Sequence, residues 1–563
     1  MAETSGESLN VPLPDPSVSH TSPVPPSKTP RSPQFWGIFA SLCILSFVCA
    51  LDAVIITTAL PTITAAIGGA TQYVWIANSF VVASAVLQPL LGQIADVFGR
   101  KLPFLASTVF FLVGSAIAGA SKNPATLIGG RTVQGIGAGG LYILLDIVCC
   151  DLTTLRERGK FIGLMSSFAG LAAALGPALG GVIAEADWRW IFYLNIPICG
   201  VALVFILVSM KMKTGSTSEH FANKPKLLRL DYLGSTIFTA STISLLLGLV
   251  MGGVQFPWSS WRIIVPLVLG ILGLAGFHIQ QAFSSNSMVP GRLFKNRTSV
   301  AGYFLTFISS ALIQAVSYFL PIYFQAVLGT TATISGTNFL PYAIGTLFFA
   351  ILGGILLAQF GVYKYMHAGC FGIAAIGFGL FTLLDTNTPK VAWAFFELIS
   401  SLGLGATIST LLPAIMAGLP EADVASITAV YVFIKTFGYV WGVTLASIIF
   451  NAAFDANLHQ ISDFSLQAQL ADGAAYAFAS QIHELQASLD PKVLGELRHV
   501  YTSSLRIIWW TGLGASLVGF LVVWLEESIE LRDSLETEYG LETEKGNETQ
   551  AESAESVLYK RVS

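Results

Sequence analysis

Charge is scarce in this sequence. Asp, Glu, Lys and Arg make up 11% of its 563 residues, against roughly 25% in a soluble chain. That shortfall excludes a water-soluble enzyme folded into about three or four domains. The 29 Lys and Arg stand against 33 Asp and Glu, a net charge of −4 with no basic excess for a nucleic-acid partner. The six cysteines (Cys43, Cys49, Cys149, Cys150, Cys199, Cys370) all fall in apolar stretches. They read as small buried side chains rather than a disulfide framework. The seven His are scattered with no pair at metal-ligand spacing, so no metal site is expected. A GxxxxGK[ST] phosphate loop is missing, which excludes a nucleotide-driven pump of that type, and so is a TVGYG-like filter. "GIGAGG" (residues 135–140) matches GxGxxG but lies inside an apolar run and follows no strand, so it reads as helix packing.

What is present is apolar: 53% of the residues. Residues 1–34 are rich in Pro, Ser and Thr, lack a signal-type apolar core, and read as a disordered, uncleaved tail. From Phe35 on, apolar runs of about 20 residues succeed one another, each long enough to cross a ~30 Å hydrocarbon layer as a helix. They cover 36–63, 72–96, 102–121, 125–149, 160–184, 188–210, 231–252, 261–283, 299–324, 333–359, 364–384, 391–417, 424–453 and 505–526. The expected fold is therefore all-α, a polytopic membrane protein with about fourteen transmembrane helices. An even number puts both termini on one face. That face carries Arg100, Lys101, Arg156, Arg158, Lys160, Lys211, Lys213, Lys224, Lys226, Arg229, Arg292, Lys295 and Arg297. The short loops of the opposite face have only Lys122, Arg189, Arg262 and Lys390, so the basic face is expected to be cytoplasmic. Residues 454–504 form a polar loop on the other side, where Asp490 and Pro491 predict the start of a helix running into the last span. Residues 527–563 are acidic, without apolar period, and read as a disordered cytoplasmic tail.

One string recurs. "GQIADVFGRK" (92–101) is echoed by "GILLAQFGVYK" (354–364), with Ala358 where the first copy has Asp96 and Val362 where it has Arg100. Such an echo fits an internal duplication, as in transporters built from repeats. In the first copy Asp96, Arg100 and Lys101 cluster at a helix end, and Gly92 and Gly99 permit close approach and a tight turn. The cluster reads either as a conformational latch or as ordinary positive-inside charge with a snorkelling Asp. Five charges lie inside spans, where charge is expensive: Asp52, Arg131, Glu397 and Lys435, and Asp146 near the inner end of the fourth. Asp52 is the foremost candidate for carrying a proton, with Arg131 its partner and Glu397 a further candidate. Asp52 also reads as a helix-packing carboxylate near Pro61, and Glu397 and Lys435 as cavity groups that do not titrate.

The string "GQIADVFGRK" resembles the loop signature of the major facilitator superfamily. "RTVQGIGAGG" (Arg131, Gln134, Gly135, Gly137) is similar to that family's fourth-helix motif. "GLAAALGPALGG" (Gly176, Pro177, Gly180, Gly181) is similar to its fifth-helix antiporter motif, with Ala172 where a glycine is usual. "LDAVIITTALPTI" resembles the first-helix motif of the fourteen-span drug:proton antiporters, its middle altered to "VIITT". "DWRWIFYLNIP", "YFLPIYFQAVLG" and "SGTNFLP" resemble the fungal branch, which includes secondary-metabolite and toxin efflux pumps. The resemblance spans about 35–526. It implies a six-helix bundle at 35–210, a linker with two extra helices at 211–298, and a second bundle at 299–526. It further implies a non-enzymatic, monomeric plasma-membrane antiporter, with a vacuolar or vesicle membrane as alternatives, driven by the proton gradient without a cofactor. Its partners would be protons, the bilayer and an amphipathic organic compound. The cavity candidates are Gln134, Tyr318, Tyr323, Gln325 and Lys435. A proton-coupled importer of a nutrient or siderophore, and a non-transporting sensor on the same fold, are the alternative readings.

Overall fold

The computed structural model describes residues 31–67, 73–211, 226–253, 255–284, 286–471 and 473–534. Most of both expected tails, with Lys213 and Lys224, lies outside these residues. Among them there is no β-strand, only an isolated bridge between Gly252 and Phe256. Twelve helices are long and apolar enough to cross a membrane, thirteen when a bent pair joined at Leu87 is taken as one span. The helix Tyr363–Phe381, of 19 residues and with Lys364 and His367 near its start, brings the number to fourteen when it is counted as a span.

The first six spans are Pro33–Ile67, the bent pair Tyr73–Val86 and Gln88–Phe98, Lys101–Gly119, Pro124–Leu152, Leu155–Asp187, and Trp190–Tyr193 with Asn195–Ser209. Spans seven and eight are Tyr232–Met251 and Trp261–Phe283. The last six are Arg297–Ile322, Ala332–Asn338 with Leu340–Phe360, Tyr363–Phe381, Lys390–Ala417, Val424–Asn457 and Pro491–Val523. Local chemistry sets their ends. Asn123, Asp231, Asn296 and Asp490 each accept a backbone N–H of the first turn, satisfying one of the donors a helix start leaves open. Gly99 and Gly361, the matching glycines of the two repeated strings, both close a helix at positive φ, 84° and 68°.

Within each group of six, glycines let helices touch. The "GIGAGG" stretch is helix packing: a Cβ on Gly137 would sit 2.3 Å from the Phe111 nitrogen, and one on Gly139 2.2 Å from the Ser84 carbonyl oxygen. All six cysteines are buried free thiols. The two groups meet at the end that carries the clustered Arg and Lys, called the basic end below. There span five packs on span ten and the lower part of span two on span thirteen. The repeated strings make equivalent crossings: a Cβ on Gly92 would lie 2.6 Å from Ala429 Cβ, and one on Gly354 2.2 Å from the Gly159 carbonyl oxygen. The extra pair of helices leans on this junction, with the Gln93 side chain bridging the Asp231 N–H and the Asn286 carbonyl at 3.1 and 3.0 Å.

Asn296 starts an Asn-Arg-Thr sequon, but its side chain caps span nine and its amide packs against Gly418 at the basic end. Asn296 is expected to carry no glycan. The change D463N creates Asn-Phe-Ser at an exposed turn of the opposite-end loop and keeps a helix-capping side chain. That variant is expected to gain one glycan, read as a gel shift lost on deglycosylation. Glycan at Asn296 would invert the orientation.

Candidate transport site

Asp52 lies midway along span one and is fully buried. A carboxylate there needs partners, and three residues from spans four and six supply them, with Ser115 of span three behind them. Arg131 pairs with Asp52 Oδ2. Gln134 and Asn195 each donate to Oδ1 at 2.7 Å. Gln134 also accepts from Arg131 at 2.8 Å and donates to the Ser115 hydroxyl at 2.8 Å. The guanidinium carbon sits 4.2 Å from the Phe80 ring centre, a cation–π contact, while Arg131 Nε has no partner among the described residues. The network closes on itself, net neutral, inside the first group of helices. Gln134, expected in the cavity, belongs here instead: its position one turn beyond Arg131 turns it onto Asp52. Ser115 and Phe80 carry no sequence signal of their own, each an ordinary residue in an apolar helix, and Asn195, though inside the string "DWRWIFYLNIP", is not marked there as a partner of Asp52.

Glu397 occupies span twelve, also fully buried. Its Oε2 accepts the Tyr342 N–H at 3.0 Å; its Oε1 and the Tyr342 hydroxyl have no partner among the described residues. The structure does not bring Glu397 into contact with Asp52. Lys435 on span thirteen faces Asp146 on span four across the two groups, Nζ to Oδ2 3.7 Å. Its ammonium also lies 5.2 Å from the Tyr431 ring centre. Lys435 sits mid-span and is still partly exposed, so a cleft opens between the groups above their basic-end junction.

The remaining cavity candidates separate. Tyr318 is exposed. Beside it Phe319 meets Tyr476 of the opposite-end loop edge-on at 5.7 Å. Tyr323 and Gln325 fall where span nine passes into a wider turn, Tyr323–Val327, and both are used structurally. The Tyr323 hydroxyl donates to the Asp385 carbonyl at 2.8 Å, and Gln325 donates to Ser335 at 3.4 Å.

At the basic end Arg100 is buried and ties three partners: the Ala95 carbonyl, Asp96 Oδ1 and Asp151 Oδ2, each at 2.8 Å. Lys101 begins span three beside it. Asp151, on span four, joins this cluster without any signal in the string itself. Arg100→Ala leaves Asp151 buried without its guanidinium and is expected to reduce transport at least tenfold at unchanged membrane insertion. Arg100→Lys restores part of it, because a point charge cannot serve two carboxylates as the guanidinium fork does. Uptake into vesicles normalised to protein amount is the measurement.

In the fifth-helix motif, the helix runs unbroken from Leu155 to Asp187, and the Pro177 side chain lies outside the described residues. A Cβ on Gly176 would touch Val54 of span one at 3.2 Å, whereas one on Gly181 would meet nothing within 4 Å; Gly180 is buried. Contact with the other group comes lower on this helix, through Gly159 and Gly163. Arg158, fully buried beside them, donates to the Cys150 carbonyl at 3.0 Å and pairs with Glu421 of the second group. Glu421 also pairs with Arg532 at 3.1 Å. Arg532 belongs to a strap after the last span. Residues 526–534, expected mostly within a disordered tail, are pinned to both groups. Glu526 meets His367 at 3.0 Å, Glu527 meets Arg297 at 2.6 Å, and Asp533 meets Arg156 at 2.9 Å.

Two six-helix groups, joined at one end, cleft above, with buried charge inside the spans, define a multi-pass membrane transporter. The Major Facilitator Superfamily profile matches residues 42–443. "MFS-type transporter gkaD" of Penicillium citrinum is 41% identical over 518 residues, 92% of this chain and 88% of that one. "MFS efflux transporter aclA" of Aspergillus oryzae is 40% identical over 524 residues, 92% and 94% of the two chains. "Efflux pump FUS6" of Gibberella moniliformis is 37% identical over 528 residues, 93% of each. The human organic anion transporter MFSD10 (TETRAN) shares the fold alone, with a TM-score of 0.54 at 14% identity, over 88% of this chain and 100% of that one. The chain belongs to the Major Facilitator Superfamily.

Proposed function

We propose that this protein exports a small organic compound across the plasma membrane by alternating access, driven by protons entering in exchange. The observation that carries the coupling is Asp52: a fully buried carboxyl in the middle of a span, held by Arg131, Gln134 and Asn195. Protonation removes the charge that holds Arg131, and a guanidinium without its counter-ion in a low-dielectric interior seeks another arrangement. That change of arrangement within one group of helices is the means by which a proton biases the rocking between groups. The names of the relatives favour export over import. The basic end is the cytoplasmic one on this reading, and the closed junction there makes the conformation outward-facing.

The test is transport in proteoliposomes with an imposed pH gradient. Accumulation of an organic dye that follows the gradient and collapses with a protonophore is the expected result. Dye movement indifferent to the gradient would remove the proton coupling.

A further inference from the structure

Of the five charged residues inside the spans, four are sealed. Asp52, Arg131, Asp146 and Glu397 are each under a tenth exposed, whereas the Lys435 side chain is 26% exposed to the cleft. The cleft is thus presented with a cation. Its facing carboxylate, Asp146, stands at 3.7 Å, longer than a normal salt-bridged hydrogen bond. On its other side the ammonium meets an aromatic face. The Tyr431 ring centre lies 5.2 Å from the ammonium, its hydroxyl donating to the Ile408 carbonyl at 3.3 Å. An ammonium only donates hydrogen bonds, and the matching ligand feature is an oxygen bearing negative charge on an apolar or aromatic body.

We propose that Lys435 binds an acidic group of the exported compound, a carboxylate, enolate or phenolate on an apolar or aromatic body, and that Asp146 is the internal counter-ion that displaces it. This rests on the transport reading above and narrows its substrate class. Lys435 belongs to the second group of helices and Asp146 to the first, so their pairing belongs to the basic-end-closed arrangement described here. A bound anion and Asp146 compete for one ammonium. Closing the basic end brings in the carboxylate that drives the anion off toward the open side.

Two xanthene dyes of similar body and opposite charge, fluorescein and rhodamine 6G, separate the possibilities. Binding to the purified full chain in nanodiscs, without a gradient, is read by fluorescence anisotropy, and gradient-driven uptake is read in proteoliposomes. The expected results are tighter binding of fluorescein than of rhodamine 6G, and at least a tenfold loss of fluorescein affinity in Lys435→Gln with rhodamine 6G unaffected. Lys435→Arg keeps the anion preference. Asp146→Asn is expected to bind fluorescein more tightly and turn it over more slowly, a split of KM from kcat that a merely structural role does not produce. The assignment is overturned if the wild-type protein does not prefer fluorescein, or if Lys435→Gln weakens both dyes alike. Lys435-dependent binding without gradient-driven uptake would keep the assignment and remove the proton coupling instead.

Discussion

Replacing Asp52 by Asn is expected to abolish gradient-driven export and, alone, to lower the amount of folded protein. The second effect follows from the network. Arg131 loses its only charged partner among the described residues in a sealed site, and removing one member of a buried ion pair costs about 3–5 kcal/mol. The loss of transport in the single variant is therefore ambiguous, and the double variant Asp52→Asn with Arg131→Gln resolves it. Both charges are then gone, Gln134, Asn195 and Ser115 keep amide and hydroxyl partners, and thermal stability is expected to return toward that of the parent. Export against a gradient is not expected to return, because no group remains at this place to take and release a proton. Downhill exchange of substrate is expected to survive in the double variant. A double variant that still concentrates substrate would move the coupling to Glu397, the other buried carboxyl whose second oxygen has no partner among the described residues.

Glu421→Gln is expected to open the basic end. In the closed arrangement Glu421 is shared by Arg158 and Arg532, and Arg158 is fully buried against Cys150 and Met416. Without the carboxylate the closed form again holds a buried uncompensated cation, a penalty of about 3–5 kcal/mol. A shift of ~5.5 kcal/mol is what takes a two-state equilibrium from 1:99 to 99:1, so this single change is expected to depopulate the closed form heavily. The reporter is a lone cysteine at Ser409, which is buried at the span five–span ten crossing. In a background whose six native cysteines are replaced, Ser409→Cys is expected to react slowly with a maleimide applied from the basic end, and quickly once Glu421→Gln is added. Adding Arg158→Met is expected to protect the thiol again, since an apolar side chain of similar length needs no counter-ion there. Unchanged labelling in Glu421→Gln would mean that the glycine crossings at Gly92 and Gly354 hold the junction without the charges.

Fold and site were legible in the sequence to different degrees. Span number and helix starts could be read along the chain, because apolar length and capping chemistry are properties of neighbouring residues. Pro491 behind Asp490 begins the last helix as its residues predict. The repeated Gly-Phe-Gly strings announced matching positions, and both became helix ends at positive φ and crossings between the groups. What the composition could not announce was company. Asp52 and Asn195 are 143 positions apart, and nothing in an apolar helix marks an asparagine or serine as a carboxylate's partner. Asp151 sits 51 positions from the Arg100 it serves, outside the repeated string that contains Arg100. Gln134, Tyr323 and Gln325 have the side chains of cavity residues, yet the turn each occupies aims them into packed structure. Length, helicity, span count and the basic face follow from sequence alone, because water and lipid sort those features locally. Which charge meets which, which remains bare to the cleft, and which end is shut depend on helices distant in the chain packing together, and only the tertiary structure decides them.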